Sequence, residues 1–185
     1  MRCDPMLSRS TLLILAIAIL AAAAGGWLQH RSRLAHVPAG VQVANVGDLR
    51  PDLALPDPDG HEHRLSEYHG HRVLLNFWAT WCGPCLDEMP ALAKAQATYA
   101  QSGVRIVGIA MDDPAHVRRF LAAHPLDYPV LIGQFDTPST SLRFGDETEV
   151  LPYSVLLDAD GRVLAVHRGA LEQAQLHAWL APDSH

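Results

Sequence analysis

Two of the chain's three cysteines, Cys82 and Cys85, are separated only by Gly83 and Pro84, and Glu88 follows three positions after Cys85. Thiols at this spacing close a disulfide within one helical turn, and a thiolate is the nucleophile in disulfide exchange. Pro84 restricts the backbone that must serve both oxidation states. Other chemistries fit less well. A closed structural zinc site takes four ligands, and the remaining cysteine, Cys3, lies near the other end of the chain and is given no role. A purely structural disulfide across so short a loop removes little chain entropy. The pair therefore reads as a reversible redox couple, with Cys82 as the exposed attacking thiol and Cys85 as the buried resolving thiol.

The elements around the pair can position it for that work. Val73 to Ala79 is an almost unbroken apolar run, as expected of a central strand covered on both faces. From Cys85 onward Met89, Leu92, Ala93, Ala97 and Ala100 recur at helical spacing. The cysteines thus sit at a strand-to-helix turn, with Cys82 at or just before the first helical turn. Unpaired N–H groups and the helix dipole stabilise an anion there and depress a thiol pKa.

Further along, Gly103 breaks the helix and Val104 to Met111 forms a second buried strand, making a parallel βαβ unit. Asp112-Asp113-Pro114 opens a helix whose inner face is Val117, Phe120, Leu121 and His124, and the two aspartates read as helix-start residues rather than metal ligands. Residues 128 to 132 suit a short edge strand and 137 to 144 a helical turn. Tyr153 to Leu157, a turn at residues 158 to 161, and Arg162 to Val166 form an antiparallel hairpin, closed by a helix carrying Leu176, Trp179 and Leu180. Before the central strand, residues 51 to 55 and 61 to 65 flank the turn Asp57-Pro58-Asp59-Gly60 as another hairpin. His61 and His63, and His69 and His71, have metal-binding chemistry at strand spacing, but hydrophilic residues around turns need no metal to explain them.

The chain has 185 residues, 49% hydrophobic and 18% charged, which suits one globular domain with an added element. A net charge of −6 argues against a nucleic-acid partner. The added element is residues 11 to 28, an uncharged run long enough for a transmembrane anchor. A cleavable signal peptide competes, with Arg2 and Arg9 as a basic region and Ala21 to Ala24 offering small residues for cleavage. The retained anchor is preferred because the run continues through Gly25, Gly26 and the interfacial Trp27. Residues 1 to 10 then lie on the cytoplasmic side and residues 29 to 44 are a linker to a domain over 45 to 185.

The stretch Phe77-Trp78-Ala79-Thr80-Trp81-Cys82-Gly83-Pro84-Cys85 resembles the active-site signature of the thioredoxin superfamily. With Asn76, Glu88, Met89 and Pro90 added, it most resembles the membrane-tethered, extracytoplasmic thiol-disulfide oxidoreductases of the TlpA type, which include the cytochrome c maturation reductases. The resemblance covers roughly residues 45 to 185. It implies an α/β thioredoxin-like fold, with a central mixed β-sheet flanked by helices and an N-terminal β-hairpin extension behind the transmembrane helix. It places the protein in the inner membrane as a single-pass chain, with its catalytic domain in the periplasm. By the same resemblance Pro152 is a cis-proline packed beside the cysteines, against the alternative of a trans proline that merely opens a strand. Trp81, Gly83, Pro84, Leu151 and Pro152 would contact substrate, the Leu151 backbone pairing with an extended segment by strand addition. Trp78 belongs to the core.

The chain departs from ordinary thioredoxins at Asn76, where they carry a buried Asp. An amide cannot take a proton, so the base must come from elsewhere. Glu88 lies one turn beyond Cys85 and resembles the acid of the TlpA-type CxxCxxE pattern, where a carboxylate raises thiol pKa values and relays a proton. The alternative is an exposed carboxylate that complements the helix dipole. The functional expectation is a disulfide reductase with no cofactor beyond the Cys82–Cys85 couple. It would act on proteins bearing disulfides or thiols, such as apocytochrome c or copper-site assembly proteins, and be recharged by a membrane electron donor. The alternatives are a peroxiredoxin-like peroxide reductase and a copper or metal carrier using the cysteine pair. Against the first, Thr80 precedes Cys82 by two positions, whereas a peroxidatic cysteine follows its threonine by three.

Overall fold

A computed structural model describes residues 9–33, 43–136 and 138–181; within the first stretch the side chains described are those of Ser10 and residues 13–25. Two units divide the chain, residues 1–37 and residues 38–185. In the first, helix α1 runs over Arg9–Arg33. It passes the expected boundary at residue 28 because nothing from Gln29 to Arg33 breaks a helix. Its described large side chains, Leu13, Ile14, Leu15, Ile17, Ile19 and Leu20, are exposed. Among the described residues no helix is long and apolar enough to cross a membrane. The expected span of residues 11–28 is thus described in side-chain detail only in its middle. Cys3 and most of the expected linker lie outside the described residues.

The second unit is organised on strand β3, Arg72–Trp78, which is buried from Val73 onward. Around it the sheet adds β4 (Val104–Ala110), β5 (Val130–Ile132), β6 (Tyr153–Leu157) and β7 (Val163–Arg168), in the order β5-β4-β3-β6-β7. The first three strands are parallel, and β6 and β7 are antiparallel to their neighbours. This is a mixed central sheet, and β3 holds its middle because its unbroken apolar run suits burial on both faces. Strands β1 (Ala54–Pro56) and β2 (Glu62–Arg64) pair as the separate N-terminal hairpin. A 3₁₀ turn over Leu65–Tyr68 leads from that hairpin toward β3.

Helix α2, Gly83–Tyr99, buries Cys85, Glu88, Met89, Leu92, Ala95 and Gln96. That stripe corrects the expected one, since Ala97 faces solvent. Counting 3.6 residues per turn from Cys85 reaches residues 88–89, 92 and 95–96, and Gln96 tolerates burial because its Oε1 accepts from the Ile106 N–H at 2.6 Å. Helix α3, Pro114–Ala123, starts at Asp113, whose carboxylate accepts from the Ala115 and His116 N–H groups. Its inner face holds Val117 fully and Phe120 and Leu121 partly, but His124 is exposed. The helix has ended by then, and the His124 ring stacks on Phe120 at 4.7 Å. A short helix α4 spans Thr140–Arg143, and α5 spans Gln173–Leu180 with Leu176 and Leu180 buried.

The core is divided by the sheet. On one side Phe77, Phe144 and Tyr153 meet with ring centroids 5.7 to 5.8 Å from the Phe77 ring, among Leu75, Val107, Ile109 and Val155. On the other, Leu74, Leu92, Ile106, Leu176 and Leu180 pack α2 and α5 down. Replacing Phe77 by Ala should remove the ring on which Phe144 and Tyr153 both rest. The expected loss is about 3–5 kcal/mol of unfolding free energy in denaturant titration of the oxidised protein; a change within 1 kcal/mol would show that this cluster does not carry the fold.

Candidate active site

The C-terminal ends of the parallel strands β3, β4 and β5 and the start of antiparallel β6 lie along one edge of the sheet. Their loops gather there, and the cysteines sit in the first of them. Cys82 and Cys85 are joined in a disulfide with their Cα atoms 5.3 Å apart. Cys82 is the N-cap of α2, its sulfur accepting from the Cys85 N–H at 3.3 Å. A sulfur so placed faces the unpaired N–H groups of the first turn, the setting that favours a thiolate after reduction.

One expectation needs correction here. Cys82 is only 5% exposed and Cys85 not at all, so in the oxidised protein the sulfur expected to be exposed is nearly covered. The pair packs in an apolar cluster with Trp78, Ala79, Met89, Ala110, Val117 and Ile132, with Leu86 and Leu151 at its margin. The open surface is instead Trp81, 71% exposed, with Gly83 and Pro84 beside it. Trp78 is wholly buried.

From the far side of the sheet edge, the peptide bond between Leu151 and Pro152 is cis. Pro152 is buried, and its carbonyl accepts from the Gly169 N–H at 2.8 Å. Leu151 is half-buried and packs against the cysteine cluster, while Val150 is exposed. The structure thus brings Trp81, Gly83, Pro84, Leu151 and Pro152 to the same edge as the two cysteines.

Glu88 is 4% exposed, which removes the exposed helix-start alternative. Its Oε1 accepts from Asn76 Nδ2 at 2.7 Å and its Oε2 from the Leu171 N–H at 2.8 Å. Asn76 Nδ2 also donates to Ser154 Oγ at 3.1 Å. Burial pushes the Glu88 carboxyl above its ordinary value, opposed by those two hydrogen bonds and by the charge of His167. Asn76, standing where a thioredoxin has its acid, therefore acts as donor to an acid supplied by α2.

Asp112 was not legible as part of this site. Asp113 alone caps α3, and Asp112 turns back to accept from the Thr80 N–H at 3.0 Å and from Thr80 Oγ1. Burial acts to raise its pKa, but bonds from Thr80, the Asp113 N–H and His116 prevail and lower it. It thereby ties the loop carrying Trp81 and Cys82 to the start of α3. No local spacing signals a contact across 32 residues. Ser154, which shares the Asn76 amide with Glu88, is also invisible to motif reading.

The histidine pairs stand apart from the cysteines. His61 and His63 lie beside Asp57 at 3.2 and 3.5 Å, and His63 lies 3.3 Å from Glu67. His71 Nδ1 lies 3.3 Å from the Gly103 carbonyl. Among the described residues, no group of three or more His, Cys, Asp or Glu side chains could hold a metal ion.

Comparison with known proteins agrees with this geometry. A family model described as Redoxin matches residues 45–179. The thiol-disulfide oxidoreductase ResA of Geobacillus kaustophilus is 35% identical over 136 residues, 73% of this chain and 76% of that protein. Among solved structures, a Chlorobium tepidum protein described as a thiol:disulfide interchange protein DsbE matches at TM-score 0.63 with 33% identity, covering 73% of this chain and 92% of that one. A secreted thiol-disulfide isomerase of Corynebacterium glutamicum matches at TM-score 0.63 with 25% identity, covering 78% and 93%.

The raised pKa of Glu88 carries a stability signature. A carboxyl whose native pKa lies above its unfolded value makes its full contribution below the unfolded value and loses it as pH rises through the native one. Oxidised wild-type protein should therefore lose stability as pH rises from about 4.5 through the elevated Glu88 value. Glu88→Gln should be less stable overall and lack that component of the slope. Parallel slopes for the two proteins in denaturant titrations across this range would contradict the assignment.

Proposed function

Since the chain belongs to the Redoxin family and is a thiol-disulfide oxidoreductase, we propose that it reduces disulfides in extracytoplasmic partner proteins through the Cys82/Cys85 dithiol. The observation that carries this reading is the Cys82–Cys85 disulfide capping α2 with a buried, hydrogen-bonded carboxylate one turn behind it. In the reduced protein the Cys82 thiolate attacks a substrate disulfide. One substrate sulfur leaves as thiolate and a mixed disulfide forms. Cys85 then loses its proton to Glu88 and attacks Cys82 Sγ, which expels the second substrate sulfur and closes the Cys82–Cys85 bond. Two electrons pass to the substrate, and a dithiol donor at the membrane restores the pair. The Gly83-Pro84 dipeptide, similar to that of reducing thioredoxins, favours this direction.

Substrate docks as an extended segment along Val150 and Leu151, beside the cis-Pro152 and against Trp81. Apocytochrome c and copper-site assembly proteins are of the right chemistry, since both present cysteines that must be reduced before they bind a group. No cofactor is needed beyond the disulfide. The catalytic domain, residues 45 to 185, is held outside the cytoplasm by residues 11 to 28 of α1, with residues 29 to 44 as spacer and residues 1 to 10 inside. The exposed Leu and Ile side chains of α1 support an apolar environment for that helix, and the secreted isomerase among the similar structures supports the location.

Two experiments test these readings. Cys85→Ser should accumulate mixed disulfides through Cys82, and Cys82→Ser few, while the wild-type domain reduces insulin and consumes peroxide no faster than free dithiol does. Equal trapping by both variants would overturn the division of roles, and rapid peroxide turnover would favour the peroxidase alternative. For location, the full chain fused at its C-terminus to a reporter active only outside the cytoplasm should be active and remain with membranes after a salt wash. Recovery in the soluble periplasmic fraction would indicate a cleaved signal peptide.

A further inference from the structure

Where β7 ends, two consecutive residues hold both feet of the loop that precedes β6. The Gly169 N–H donates to the Pro152 carbonyl at 2.8 Å, and Arg168 Nη2 donates to the Gly145 carbonyl at 2.7 Å. Arg168 Nε also approaches Asp146 Oδ1 at 3.8 Å. The chain is thus gripped at residues 145–146 and again at 152, and residues 147–151 arch between those points. That arch carries the exposed Val150 and the half-buried Leu151, which packs against the cysteine cluster. Sheet register brings Arg168 there, since it pairs with Tyr153, the first residue of β6.

Arg168 is itself placed by what it touches. Its guanidinium carbon lies 5.5 Å from the centre of the Tyr153 ring, within reach of cation–π attraction. That ring is wholly buried against Phe77, and its hydroxyl donates to the Phe144 carbonyl at 2.7 Å. Asp146 is wholly buried too, and its Oδ1 accepts from the Thr148 hydroxyl at 3.2 Å. Burial pushes the Asp146 carboxyl above its ordinary value, while the nearby Val150 N–H, the Thr148 hydroxyl and the Arg168 charge work against that rise. Backbone bonds run from the Asp146 N–H to the Ser141 carbonyl and from the Glu149 N–H to the Asp146 carbonyl. Glu149 takes the left-handed conformation, φ 49°, which is uncommon for a residue with a Cβ. Its carboxylate accepts from Ser139 Oγ, and the next residue, Val150, stands exposed. A planar guanidinium suits this place, because it reaches two acceptors at once while its flat face covers a ring.

We propose that Arg168 is a positioning residue for polypeptide substrates: by gripping Gly145 and Asp146 it fixes the arch whose Val150 and Leu151 meet an extended segment beside the disulfide. This inference rests on the reading of residues 150 and 151 as the docking strand. The bonds of Arg168 go to the foot of the arch, and its flat face to Tyr153, so it acts on binding and not on the thiols. An arch loose at residues 145–146 would have to be ordered when a strand pairs with it, and that cost falls on affinity. A small disulfide that makes no strand pairing does not meet the cost.

The test uses the full-length reduced chain in single turnover with two probes, an extended peptide carrying one internal disulfide and dithiobis-nitrobenzoate, a small aromatic disulfide. Arg168→Gln should raise the half-saturating peptide concentration about five-fold or more, keep the limiting rate within about two-fold, and leave the rate with the small disulfide unchanged. Arg168→Lys keeps the cation but not the two-acceptor fork, so it should shift the peptide value the same way by a smaller factor. That variant carries the test if the glutamine variant does not fold. Equal losses on both probes would assign Arg168 to the redox centre or to the fold at large, and unchanged peptide saturation would show that the arch needs no such hold. Either result overturns the proposal. Val150→Asp separates this inference from the reading beneath it. If Val150→Asp leaves peptide saturation unchanged, the docking reading fails and this inference with it. If Val150→Asp weakens peptide binding and neither Arg168 variant does, the Arg168 inference alone falls.

Discussion

A carboxylate shut away from water must be met by donors or give up its charge. Glu88 is met by two, from Asn76, 12 residues before it, and from the Leu171 N–H, 83 residues after it. Those contacts pin α2 to the central strand and to the segment entering α5, so one buried acid ties three distant parts of the chain together. They also leave the acid one turn beyond Cys85, with its pKa raised by burial. The fold that keeps Glu88 dry is thus what holds its carboxyl above the ordinary value.

Around that point the structure separates what must be rigid from what must be reached. The redox loop is held from below by the Cys82 cap on α2 and from the side by Asp112 on Thr80. Both cysteines are covered in the oxidised protein, while Trp81 and Val150 stand open on either side. A partner meets apolar surface first, and the sulfur it needs lies beneath that surface.

Membership of the Redoxin family gives the chemistry a broad class, and the details narrow it. In thioredoxins an acid on the central strand faces the cysteines; here that strand supplies an amide and the acid comes from the helix. The exchange keeps a carboxylate one turn beyond Cys85 but turns the strand residue into a donor, which extends hydrogen bonding to Ser154. A polar seam across the sheet follows from that choice.

Much of this architecture was legible in the residues themselves. The apolar run before Cys82 and the 3.6-residue pattern after it are local signals, because burial on a strand or a helix face leaves a period in the sequence. The Cys82-Gly83-Pro84-Cys85 spacing fixed the redox chemistry for the same reason, since a disulfide between near neighbours is decided by local geometry. Glu88 could be placed one turn beyond Cys85, but not whether it was buried or exposed. That was decided by donors on strand β3 and before α5, whose approach depends on how the sheet closes. The covering of Cys82, the turn of Asp112 toward Thr80 and the bond from Asn76 to Ser154 likewise join residues far apart in sequence. Contacts of that kind leave no period or spacing to read, because they come into being only when separate elements are packed together.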